Sequence, residues 1–220
     1  MSLIDKINST LELLNTIIVQ TKQKDWTMKK IKFMLFTIAV GASSLFGGVY
    51  NVDASHTNVA FSVKHMMIST VNGEFRKFNG SFELDDKTNN LIALKGEMDV
   101  ESINTNIAKR DAHLKSDEIF NAQMYPKVTF VLDRVQGDKA YGKLTIKGIT
   151  KDVEFDHEFG GTIIDPWGKK RAGISLSGKI DRRDYGVTWN QALEAGGVVV
   201  SEIVKLNIEI QGILKAEDDF

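Results

Sequence analysis

From Thr57 to near the C-terminus, apolar and polar residues alternate with a period of two. That is the mark of strands that bury one face only. Val59, Phe61, Val63 and His65 share one face, with Ala60, Ser62 and Lys64 on the other. Ile92, Leu94, Gly96, Met98 and Val100 oppose Lys95, Glu97, Asp99 and Glu101. Val128, Phe130 and Leu132 oppose Thr129 and Asp133, and Val153, Phe155, His157 and Phe159 oppose Asp152, Glu154, Asp156 and Glu158. Ile174, Leu176 and Ile180 oppose Ser175, Ser177 and Lys179. Val204, Leu206, Ile208 and Ile210 oppose Lys205, Asn207, Glu209 and Gln211. Residues 74–84 and 141–147 repeat the pattern more weakly, so eight strands are expected. One-sided strands belong to antiparallel sheet, because parallel sheets covered on both faces read as continuous apolar runs. Turn residues at 86–90, 136–139, 147–148 and 166–168 punctuate the runs.

Residues 103–125 break the alternation. Ser116 stands where an N-cap belongs, with Asp117 and Glu118 in the first turn, Ile119, Phe120 and Met124 on the buried side and Pro126 as the stop. The pattern therefore places a short helical excursion between the third and fourth strands. The chain is all-β, and its eight apolar faces are covered either in a closed barrel, which removes the sheet edges, or in a two-layer sandwich.

The N-terminal region follows another rule. Residues 28–48 read as three lysines (Lys29, Lys30 and Lys32), an apolar run from Phe33 to Val40 and then small residues, the layout of a secretory signal peptide. The apolar run is short for a membrane span of about 20 residues. Residues 1–27 carry Ile4, Ile7, Leu11, Leu14 and Ile18 at helical spacing. They read either as a short amphipathic helix or as an extension before a true start at Met28. Residues 49–216 then form the domain, 217–220 a frayed tail, and the expected location is periplasmic.

Composition narrows the chemistry. The chain has 220 residues, 28 Lys+Arg against 29 Asp+Glu, and no Cys. Residues 1–48 hold six of the basic and three of the acidic side chains, leaving 22 against 26 and a net of −4. There is no broad basic surface for nucleic acid. Without Cys there are no disulfides, thiolate nucleophiles or zinc–sulfur sites. No nucleophile elbow, HExxH or phosphate-binding loop occurs. No metal site or cofactor is expected, since His56, His65, His113 and His157 are scattered.

Two polar clusters remain. Residues 104–113 contain Arg110, Asp111 and His113, which either orient a polar head group, act as acid–base partners, or pin the helical excursion to the rim through an Arg–carboxylate pair. Asp181, Arg182, Arg183 and Asp184 read as a locally paired turn or as a rim contact to a charged ligand.

The chain also resembles the YceI-like family from Tyr50 to about Leu214. The likeness is carried by residues 50–57 (YNVDASHT), 61–65 (FSVKH), 71–75 (VNGEF), 102–105 (SINT), 110–114 (RDAHL), 125–130 (YPKVTF), 142–151 (GKLTIKGITK) and 183–186 (RDYG), in that order. Thr57 stands where Ser is commoner in the family, and residues 1–27 lie outside the pattern. The resemblance implies a lipocalin-like antiparallel barrel, exported to the periplasm, with a long apolar cavity. It implies a non-enzymatic binding protein for a polyisoprenoid, an isoprenoid quinone or a fatty-acid derivative, and it transfers no catalytic residue.

On that reading Phe61, Val63, His65, Phe75, Phe82, Met98 and Ile119 wall the cavity. Phe120, Phe130, Leu144, Ile174, Leu176, Tyr185 and Trp189 complete the wall, and Arg110, Asp111, His113 and Arg183 form the polar rim. A transient membrane contact and a homodimer are compatible with this. Two other readings compete: an enzyme acting on such a lipid through His113 and Asp111, and a stress or interaction protein with a filled core.

Overall fold

The computed structural model describes residues 48–193 and 196–215. The expectations for an N-terminal extension, a signal peptide and a C-terminal tail lie outside these residues. The described chain forms eleven strands and one α-helix. The strands are β1 (Gly48–Val52), β2 (Asn58–His65), β3 (Ser69–Phe75), β4 (Phe78–Leu84), β5 (Leu91–Asp99), β6 (Ile103–Asn104), β7 (Lys127–Gln136), β8 (Lys139–Ile146), β9 (Ile149–Ile164), β10 (Lys170–Asp181) and β11 (Val200–Leu214). The helix, α1, is Ala108–Lys115.

Eleven strands make eight staves. β2 pairs with β3 and β1 with β4, so β1/β2 and β3/β4 are two long antiparallel strands, each broken once. β5 pairs with β4 and β6 with β3 across a 3₁₀ turn at Val100–Ser102, which makes β5/β6 a third broken stave. β7, β8, β9, β10 and β11 follow in sequence order, each paired antiparallel to the one before. β11 then meets β2 and β1, with Asn58 opposite Glu209 and Tyr50 opposite Leu214, and the sheet closes. The expected eight-stranded antiparallel barrel is therefore present. The one-sided alternation makes this closure favourable, since a closed sheet leaves no unpaired edge while all inward faces share one interior.

Two-residue turns match the strand twist where the sequence allows them. Lys147 (φ 51°) and Gly148 (φ 75°) form the left-handed β8–β9 turn. Large rings lie across glycines of neighbouring strands. A methyl group on Gly73 would sit 2.3 Å from the Phe61 ring, one on Gly142 2.7 Å from Phe130, and one on Gly178 2.5 Å from Phe155. Each ring occupies space that only a missing side chain provides.

Two details differ from the expectations. The helix lies earlier than Ser116. Ser116 follows its last residue, and both the Ser116 amide and hydroxyl donate to the His113 carbonyl, at 3.2 and 2.8 Å. Ile119 and Phe120 sit in turns after it, still facing inward, whereas Met124, expected beside them, is exposed because no helix continues to carry it to the same face. Without a buried apolar stripe, α1 carries no helical period to read; it is held instead through Arg110 and Asp111, as described below. In β5, Leu91 rather than Ile92 is buried, because the irregularity between Glu83 and Leu84 shifts the register there.

Candidate functional site

The two ends of the barrel differ. At the end holding Gly48, the 85–90 loop, the 165–169 turn and Leu214, the interior is filled. Tyr50 stacks on Phe82 with ring centres 5.1 Å apart, and Leu84, Leu91, Ala172 and Ile174 pack around them. Phe82 and Ile174, expected in the cavity wall, belong to this plug and do not reach the cavity. Above it the interior is hollow. A cavity of about 310 Å³ begins over Phe130 and Phe155, which meet edge to face at 5.5 Å. It rises towards the end that carries α1 and the 182–199 segment.

The other expected wall residues line it: Phe61, Val63, His65, Phe75, Met98, Ile119, Phe120, Leu144, Leu176, Tyr185 and Trp189, with Phe130 at the base. Val204, Leu206, Ile208 and Ile210 of β11 add an aliphatic stripe. Burial pushes the Tyr185 phenol up to about 12, so it stays neutral.

The rim divides the expected polar residues. Arg110 and His113 line the cavity; Asp111 and Arg183 do not. Asp111 accepts from the amide (2.8 Å) and hydroxyl of buried Thr105. Arg110 donates from Nε to the Thr105 hydroxyl and from Nη2 to its carbonyl, both at 2.8 Å. Thr105 thus ties α1 to the barrel, and among the described residues no carboxylate comes within 4 Å of the Arg110 guanidinium. The expected Arg–carboxylate pin is replaced by an Arg–threonine one.

His113 pairs with Glu118 at 2.8 Å and sets its ring edge against Trp189 at 5.0 Å. It does not meet Asp111, so the acid–base pair considered for an enzyme is not assembled. Arg183 turns outward to Asp181 and Glu202, both at 2.6 Å.

The neighbouring Arg182 turns inward, which sequence reading did not resolve. It is buried and donates to the carbonyls of Val187 (2.6 Å), Trp189 (2.9 Å), Ser201 (3.0 Å) and Val200 (3.3 Å). The β11–β2 register shifts between Val200 and Val204, which frees the Val200 and Ser201 carbonyls from the ladder. Asn190 replaces part of that ladder, donating to the Val200 carbonyl at 2.8 Å and accepting from its amide at 3.1 Å. Burial pushes the Arg182 guanidinium below its ordinary value. Two adjacent arginines in one 3₁₀ turn point oppositely, and nothing in their local sequence says which goes in.

The ionisable residues along the cavity are His65, Lys95, Arg110, His113, Arg182 and Tyr185, with no Asp or Glu. Lys95 is exposed on the outer face of β5, so the cations at the wall are Arg110 and Arg182. Among the described residues no three His, Asp or Glu side chains gather as a metal site. The arrangement can take a long apolar group into the barrel and meet a polar or negative end at Arg110.

The family profile of the YceI-like domain matches residues 50–212. A UPF0312 protein of Staphylococcus aureus strain MSSA476 is 40% identical over 159 residues, spanning 71% of this chain and 92% of its own. A UPF0312 protein of Staphylococcus epidermidis strain RP62A is 39% identical over the same length. Among solved structures, a Campylobacter jejuni YCEI protein superposes with a TM-score of 0.62 at 33% identity, covering 70% of this chain and 90% of that one. A polyisoprenoid binding domain from Saccharophagus degradans shares the fold at a TM-score of 0.55 and 14% identity, covering 76% and 98%.

Proposed function

This chain belongs to the YceI-like family, and from that premise we propose that it is a periplasmic carrier for a long apolar amphiphile: a polyisoprenoid, an isoprenoid quinone or a fatty-acid derivative. The observation that carries the reading is the hollow upper half of the barrel, about 310 Å³ walled by aliphatic and aromatic side chains over a packed plug. A filled core would have left nothing to carry. The Saccharophagus degradans domain, named for binding polyisoprenoids, lends the fold-level precedent.

Each methylene moved from water into such a wall contributes about 0.8 kcal/mol. Ordering a floppy chain and losing its free motion offset much of this. Affinity then follows chain length, while the head group is met at one place, the Arg110 guanidinium. Binding and release, not bond making, is what this wall suits. Export through residues 28–48 belongs to the same proposal.

Titration with a fluorescent polyprenol analogue tests it. Saturable binding is expected, and Leu206→Trp, which fills the hollow from the β11 stripe, should weaken it strongly while the protein stays folded. Absence of saturable binding, or a Leu206→Trp variant that binds as the parent does, would count against the carrier reading. Native mass spectrometry of protein purified from its own periplasm, followed by lipid extraction, identifies the ligand.

A further inference from the structure

The hairpin that joins β2 to β3 has an unusual tip. Met66 (φ 49°) and Met67 (φ 63°) both lie in the left-handed region, and the Ile68 amide closes the turn on the His65 carbonyl at 3.2 Å. This is the type I′ geometry, for which Asn-Gly is the favoured pair, and bulky side chains there are strained. The strain holds three large apolar side chains out in solvent: Met66 is 42% exposed, Met67 63% and Ile68 86%. A turn selected for stability alone would carry neither the strain nor the exposure.

Exposure by itself does not single out this tip. The plugged end has its own exposed group, Ile163, Ile164 and Trp167. What separates the two is continuity with the cavity. His65, the residue before the tip, lines the cavity, and so does Val199, whose carbonyl accepts from the Met66 amide at 2.8 Å. The tip is therefore continuous with the cavity lining through His65 and Val199, whereas Trp167 does not line the cavity.

Three side chains are far too little surface for a stable protein interface, which takes some 800 Å² from each partner. They need no matching surface to enter a lipid layer, where burial of apolar area is enough. Lys64, exposed at the base of the hairpin and outside every ion pair of the described residues, suits the negative surface of an anionic bilayer. We propose that the tip Met66–Met67–Ile68 is a bilayer-insertion site that sets the hollow end of the barrel on a lipid surface, from which the apolar ligand enters. Insertion stands apart from the carrier function; only the transfer of ligand rests on it.

The chain has no Cys, so a single introduced one carries a unique label. Ile68→Cys and, at the other end, Trp167→Cys are each labelled with an environment-sensitive nitrobenzoxadiazole group and mixed with phosphatidylcholine–phosphatidylglycerol vesicles. The label at 68 should shift to the blue and be quenched by brominated lipid, while the label at 167 should not change. No response at 68, or an equal response at both ends, overturns the proposal. Adding Met66→Asn and Met67→Gly to Ile68→Cys installs the favoured turn. The melting temperature should rise while the vesicle response is lost, which separates lost insertion from lost folding. A response that survives in this variant also overturns the proposal. Titration of the Asn-Gly variant with the polyprenol analogue, without vesicles, should match the parent. If neither protein binds the analogue, the carrier reading fails while the vesicle result still decides insertion.

Discussion

Replacing Arg182 by Met tests whether one buried guanidinium holds the cavity roof. The side chain donates to four backbone carbonyls, and no carboxylate lies within 4 Å of it among the described residues. Methionine fills similar volume without a donor. The Val200 carbonyl keeps Asn190, so three carbonyls, those of Val187, Trp189 and Ser201, lose their partner. An unsatisfied buried polar group costs about 1–3 kcal/mol. The Ser201 and Trp189 contacts are partly enclosed and only the Val187 one is buried, so about 1 kcal/mol each is taken, and the loss comes to about 3 kcal/mol. Release from burying a charge works the other way but is small here, because the four carbonyl dipoles already solvate that charge. With a urea dependence of about 2 kcal/mol/M, the midpoint should fall by about 1.5 M. Arg182→Lys keeps the charge but concentrates its donors at one point, so it should lose about half as much. Arg183→Met, on the exposed neighbour, should cost less than about 1 kcal/mol. Urea unfolding of the three variants, followed by far-ultraviolet circular dichroism, gives the comparison. An Arg182→Met variant within about 1 kcal/mol of the parent, or one no worse than Arg183→Met, would show that the carbonyls find other partners and that Arg182 is not a clasp.

Gly178→Ala drives a methyl group into the Phe155 ring from 2.5 Å; at about 2 kcal/mol of overpacking the melting temperature should drop by about 4–8 °C, read by calorimetry. His56 and Arg171 hold the Asp53 carboxyl down at about 2 from the ordinary 3.8, so its stabilisation is complete above about pH 4 and is lost as pH falls towards 2. Asp53→Asn should therefore be less stable than the parent at pH 7 and converge with it near pH 2 in urea midpoints; a gap that stays constant over that range would refute the assignment. Arg110→Met should remove a preference of about tenfold, about 1.4 kcal/mol, for a long-chain carboxylate over the alcohol of equal length, measured by competition against the polyprenol analogue at pH 7; equal preference in parent and variant would exclude Arg110 as the head-group contact.

The alternation exposes the eight staves because a barrel with a dry interior demands a period of two from each of them. Their breaks are harder to see. Leu91 and Ile92 are both good strand residues, and only the local register shift decides which one is buried. α1 escapes a search for apolar periodicity because Thr105, not a core stripe, anchors it. Within the site, Arg110 and His113 were legible as members of the polar cluster at 104–113, whereas their pairing with Thr105 and Glu118, each five residues away, was not. Arg182 was not, since its partners are main-chain carbonyls, two at an irregularity in β11 and two in the segment before it, and main-chain groups have no signature in side-chain pattern. Phe82 and Ile174 have the same inward alternation as Phe130 and Leu176; how high along a stave the plug ends depends on how rings from different staves stack, which no single strand specifies.

The first and last staves are partners: Tyr50 lies opposite Leu214, and the Lys215 amide donates to the Val49 carbonyl at 2.8 Å. Every other neighbour is also next in sequence, so seven pairings can assemble locally while the final seam must bring together positions 135 to 164 residues apart, from His65–Val200 to Tyr50–Leu214. Sealing should thus be the slow, late event in refolding. Because the two ends of the domain already touch, a short linker could join them and fresh termini be opened at the Gly137–Asp138 turn, giving a circular permutant whose hollow is intact, whose β11–β1 seam is now local, and whose long-range seam has moved to β7–β8.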